Sequence, residues 1–212
     1  MTHALSRRAV SLAHLILATT AMATAVPLAA SAAGANVLDQ IAAVKAATIR
    51  FADVDVALAE GYIRDPMDHC VTAAAEGLPA ELGAMGIHYI HPQRLGITAA
   101  EPRVDGNGLH TDFLKPSILL YEPQADGSLK LVGVENLIFE ASWKAAGNSD
   151  APVFAGRSWD RMADDPQTPA DEAHGFQAHF DQHVWIVENP AGPLMPFNPE
   201  ITCEHHHNKH GS

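Results

Sequence analysis

His179, Asp181, His183 and Trp185 stand at every second position of His179-Phe180-Asp181-Gln182-His183-Val184-Trp185-Ile186-Val187. Alternate side chains of a β-strand share a face, so this spacing gathers two imidazoles and a carboxylate with an indole beside them. Such groups bind transition metals or transfer protons. Phe180, Gln182, Val184 and Ile186 form the other, mostly apolar face. A helix would also pair His179 with His183, four residues being close to one turn. The β-branched and aromatic run 184–187 favours a strand instead, bounded by Asn189-Pro190.

Two further residues could join this set. At alternate positions of the segment 129–140, Leu129, Leu131, Gly133, Glu135, Leu137 and Phe139 share a face, which puts Glu135 among apolar neighbours. A carboxylate there is costly unless it is paired, hydrogen-bonded or bound to metal. Glu135 is therefore a metal ligand or an acid–base catalytic group, or else a structural residue held by a backbone amide or by Arg157. His88 lies mid-strand in Gly86-Ile87-His88-Tyr89-Ile90. Imidazoles from two strands with Glu135 would fill three or four ligand positions on Zn2+, Cu2+, Mn2+ or Fe2+. Asp181 would then hold an imidazole tautomer from outside the ligand set. His91, three residues after His88, faces away from it or leaves the sheet. For His69, His110 and His174, in polar or loop-like settings, the surface is the default. The ending Glu204-His205-His206-His207-Asn208-Lys209-His210 is either a native chelating arm or a remnant of a purification tag.

The elements that must position these residues follow from periodicity. Apolar residues at three-to-four spacing over 37–62 predict an amphipathic helix with Asn36 as N-cap and Gly61 as stop, and a short helix follows over 68–76. A strand over 87–90 ends at His91-Pro92. Segments 117–122 and 129–140 flank an Asp-Gly turn and form a hairpin, with a surface connection over 94–115. Residues 144–173, dense in Gly, Pro, Asp and Ala, form a long loop or lid before the last strand. The expected fold is a single α+β domain over 33–203: N-terminal helix or helices packed on an antiparallel sheet.

The first 32 residues carry Arg7 and Arg8, an apolar run and small residues at Ala30-Ser31-Ala32, as a secretory signal peptide does; a membrane anchor is the competing reading. What remains, about 180 residues, can bury a core without staples. The net charge of −12 grows more negative once the basic leader is gone, which disfavours nucleic acid and favours cations as partners. Cys70 and Cys203 are the two cysteines. In an oxidising compartment such a pair forms a disulfide; the alternative makes Cys70 a thiolate. A Gly-x-Ser-x-Gly elbow, a phosphate-binding glycine loop, a Cys-x-x-Cys pair and a His-Glu-x-x-His helix are all missing from the sequence. Metal binding and acid–base chemistry remain.

Three segments taken together, Met85-Gly86-Ile87-His88-Tyr89, the hairpin with Tyr121-Glu122-Pro123, and His183-Val184-Trp185 with the following Asn-Pro pairs and Cys203, carry a resemblance. The chain resembles a family of exported bacterial hypothetical proteins over roughly residues 51–203. That family has no established activity. The resemblance implies that His88, Glu135, His179, His183, Trp185, Cys70 and Cys203 occupy its motif positions. His91 stands where the family has Asn, and the histidine tail departs from its pattern. The expectation is a periplasmic or secreted protein binding a divalent transition metal, with no membrane span after leader removal. A metal-dependent enzyme on the same site and a module for a small organic ligand are the alternatives.

Overall fold

A computed structural model of the protein describes residues 29–207, with side chains from residue 36. Residues 1–28 of the expected leader and 208–212 of the tail lie outside them. In chain order the elements are α1 (Ala29–Thr48), a 3-10 turn (Ile49–Ala52), α2 (Val54–Ala59), β1 (Ile63–Arg64), β2 (Cys70–Thr72), 3-10 turns at Ala73–Glu76 and Ala80–Leu82, and β3 (Ala84–Ile90). They continue with α3 (Pro92–Leu95), β4 (Ile97–Ala99), β5 (Asp105–Gly106), β6 (Ile118–Pro123), β7 (Leu129–Phe139), α4 (Glu140–Ala145), β8 (Val153–Phe154), β9 (Arg157–Ser158), β10 (Asp160–Met162) and β11 (His179–Trp185). The fold is mixed α+β, mostly sheet with one main helix. No described helix is long and apolar enough to cross a membrane.

The principal sheet has seven strands in the order β1-β3-β6-β7-β11-β10, with β2 also on β3, and its pairings are antiparallel. Both faces of its centre are buried. Ile41 and Val44 of α1, with Phe51 and Tyr62, cluster with Leu119, Tyr121, Val134, Ile138, Phe180 and Val184 on one face. On the other, Ile90, Ile118, Leu120, Leu137, Phe139 and Trp185 lie under Val104, Phe176 and Ile201 from connecting segments. At roughly 1.5–3 kcal/mol for each large apolar side chain removed from water, these layers supply the main stabilisation.

The continuous helix expected over 37–62 is corrected. The chain leaves α1 at Thr48 and starts α2 at Asp53, whose carboxylate caps the new helix by accepting from the Asp55 amide. The 3-10 turn keeps Phe51 buried, so the apolar spacing survives a break in the helix. Leu38 and Leu58, counted into the apolar stripe, are exposed. Likewise, 68–76 holds β2 and a 3-10 turn, Gly77 closing the turn in the left-handed region.

A second correction bears on Glu135. The β6–β7 register shifts beside Leu120, and Ile186 and Val187 both donate to the carbonyl of Val132. This bulge changes which side alternate residues face. Leu131 thereby joins the helix-side cluster, whereas Val132 joins the opposite one. A Cβ at Gly133 would stand 3.1 Å from Leu120 and 3.3 Å from Trp185. The absence of a side chain there lets the indole lie close over β7.

Candidate metal centre

The site lies on the face of the sheet away from α1. β11 pairs with β7 so that His183 stands opposite Glu135, and Asp181 opposite Leu137. On the far side of β6, His88 stands opposite Leu120, which itself faces Gly133. The long side chains of His88 and Glu135 then meet diagonally over β6. His88 Nε2 is 3.3 Å from Glu135 Oε2, and His183 Nε2 is 3.5 Å from the same oxygen. His179 Nε2 is 3.7 Å from Asp181 Oδ2. The sheet thus brings His88, Glu135, His179, Asp181 and His183 together, all fully or almost fully buried. Trp185 borders them: its ring stacks on His183 at 6.2 Å and its Nε1 donates to the Met195 carbonyl at 2.6 Å.

Sequence reasoning missed two members. His174, assigned to the surface by default, is only 4 % exposed. Its ring lies 5.4 Å from those of both His88 and His179. The turn that presents it is built by Arg103, which donates to the Phe176 carbonyl and to Asp171, while Asp171 accepts from the Gly175 amide. His174 itself has φ +36°, a left-handed backbone that a non-glycine residue rarely takes. The other member is Glu76, at the end of a 3-10 turn, with Oε1 3.2 Å from His174 Nδ1. A lone His before Gly and a lone Glu after three alanines carry no periodic signal.

Three overlapping groups of donors fit a metal ion: His88, Glu135 and His174; His174, His179 and Asp181; Glu135, Asp181 and His183. Asp181, read from sequence as an outside support, stands within two of them. Two ligands at ~2.0–2.2 Å in tetrahedral directions lie roughly 3.3–3.6 Å apart, and the two contacts of Glu135 have that spacing. Both oxygens of Glu135, Asp181 and Glu76, both nitrogens of His174 and His183, and Nε2 of His88 and His179 are buried without a hydrogen-bond partner. Burial of so many unpaired polar atoms would cost on the order of 1–3 kcal/mol each. His179 is aimed: its Nδ1 donates to the Gln177 carbonyl at 2.8 Å. Its lone pair is therefore on Nε2, facing the cluster.

Burial and mutual attraction set the protonation of the cluster. Burial pushes Glu135 and Glu76 up, although the facing imidazoles pull the other way. Burial drives His88 down to about 3, leaving it neutral. For His174 burial also lowers the value, but the pairing with Glu76 and the charges of Glu135 and Asp181 outweigh it and raise the imidazole to about 9. A pocket that draws a proton onto a buried imidazole is one that a metal cation would suit.

The remaining candidates lie elsewhere. Arg157 binds Asp160 and Gln182 rather than Glu135. His91 packs edge-on against Tyr62, on the helix side of the sheet. His110 bonds backbone carbonyls in its own loop, and His69 is exposed. Cys70 and Cys203 form a disulfide with Cα atoms 5.8 Å apart, joining β2 to the C-terminal segment. In the tail, His206 reaches Asp68 at 3.4 Å. A cavity of about 280 Å3, lined by His69, Cys70, Val71, Asp171 and His206, opens onto Glu76 and His174. Comparison with protein-family models, curated proteins and solved structures finds no match for this chain.

Proposed function

We propose that the protein is exported and binds a divalent transition metal, with His88, His174, His179, His183, Glu135 and Asp181 as the donor set. One observation carries the reading: converging buried nitrogens and oxygens that hydrogen-bond to nothing in the protein. Histidines that merely stabilised a core would more often be satisfied by their neighbours. With both cysteines bridged, the donors are imidazole and carboxylate, a set suited to Zn2+, Mn2+ or Fe2+ and compatible with Cu2+. Export is supported by the disulfide and by the leader-like first 32 residues.

The cavity reaching Glu76 and His174 favours a second reading on the same site, a metal-dependent enzyme. There the ion would act as a Lewis acid toward a small ligand, and Glu135 or Glu76, pushed toward protonation by burial, would exchange the proton. The test is elemental analysis of the full chain purified from its export compartment, with His205, His206, His207 and His210 replaced by alanine. Retention of a transition metal that is lost in His88→Ala, His179→Ala and His183→Ala is expected. Absence of tightly held metal, or wild-type retention by all three variants, overturns the proposal.

A further inference from the structure

The donors outnumber what one ion takes. His88 and His183 both face Oε2 of Glu135, yet they fall in different donor groups. The three donor groups, each with its atoms within 4.8 Å of one another, put His88 with His174 and His183 with Asp181, and Glu135 belongs to both of those sets. The grouping assigns the two histidines to separate positions that share Glu135. We propose, resting on the metal reading above, that the centre holds two divalent ions bridged by the carboxylate of Glu135. One ion is held by His88 and His174, the other by His183 and Asp181. His179 closes the arrangement, since it shares a donor group with His174 and Asp181.

Two independent features agree. Both oxygens of Glu135 are buried and unpartnered, and Oε2 stands between His88 and His183, so the carboxylate is free to serve both ions; two-metal sites hold their ions about 3.5–4 Å apart. Donor number points the same way: His88, Glu135, His174, His179, Asp181 and His183 offer more ligands than the four positions of a tetrahedral ion. Glu76 supports the His174 side, where the carboxylate-to-imidazole contact leaves Nε2 for metal.

The experiment counts ions. The full chain with the four tail histidines replaced is loaded separately with Mn2+, Co2+ and Zn2+, freed of unbound ion, and analysed for metal per chain. The Co2+ form is also followed by electron paramagnetic resonance during titration. Two ions per chain are expected, with the resonance attenuated as the second enters, because bridged ions couple magnetically. Glu135→Ala should lose the attenuation and at least one ion; Glu135→Asp should restore part of both. One ion per chain with every metal overturns the pair while leaving the metal reading intact. Two ions with simply additive spectra overturn the bridge. No bound ion overturns both.

Discussion

Replacing Glu135 by leucine near neutral pH separates a ligand from a structural carboxylate, because the two readings give opposite signs in chelator. In the metal-free protein Glu135 is fully buried and neither oxygen has a hydrogen-bond partner. Each such orphan costs on the order of 1–3 kcal/mol; leucine is of similar size and carries none. Allowing for lost attraction to His88 and His183, the metal-free variant should gain about 2 kcal/mol. For a chain of this length that raises Tm by roughly 4–8 °C. Added metal should reverse the ranking. At about 1,000 times Kd, binding contributes about 4 kcal/mol to wild type, a further ~8–16 °C, and little to the variant. The assay is thermal unfolding in chelator and in excess Zn2+, followed by circular dichroism. The reasoning fails if Glu135→Leu loses about 3–5 kcal/mol in chelator, as a broken buried ion pair does, and metal shifts both proteins equally.

Metal affinity should fall as pH drops through ~6.5, where protons compete for ordinary imidazoles. It should also climb from neutral pH toward about 9, because His174 must shed a proton before it can ligate; calorimetric titration across pH measures both limbs. Intact protein should weigh two hydrogens less than its reduced form, and two alkylatable thiols in freshly secreted protein would refute this. Reduction should cost on the order of 5 kcal/mol, read by denaturant unfolding, since the bridge spans 133 residues. Gly133→Ala should destabilise the fold by about 1–3 kcal/mol by pressing on Trp185 and Leu120, with tryptophan fluorescence reporting the displaced indole. Removing the tail histidines should cost about 0.5–1.5 kcal/mol, the net worth of the contact that His206 makes with the buried Asp68, which keeps Arg64 as a partner.

Period-two patterning made β3, β6, β7 and β11 legible, since strand residues alternate faces whatever surrounds them. The same logic brought His179, Asp181 and His183 together from sequence alone. It failed at Leu131, because a bulge changes parity without marking the sequence. It failed at 49–53 because Phe51 preserves helical spacing through a turn that is not α-helical; Asp53, as the cap of a second helix, was the available sign. His174 and Glu76 were illegible for another reason. Each is a single residue on a turn, and its inward direction comes from distant partners, Arg103 and the cluster itself. The disulfide was legible from an isolated cysteine pair behind a leader-like segment, and the bridge rules out the alternative of a Cys70 thiolate.

The donors are scattered: Glu76 on a turn, His88 on β3, Glu135 on β7, His174 on a later turn, and three residues on β11. In an unfolded chain only His174, His179, Asp181 and His183 lie near one another in sequence, and the bridged cysteines offer no thiolate. A chelate of full denticity exists only once β3, β6, β7 and β11 have paired. Maturation on this plan has a fixed chronology, with shape acquired first and cargo second. On this plan an ion would enter through a finished wall, at which one cavity is lined by His69 and His206 together with Glu76 and His174. On the proposed reading the fold is complete before any ion enters, so loading would depend on the cations present where folding ends.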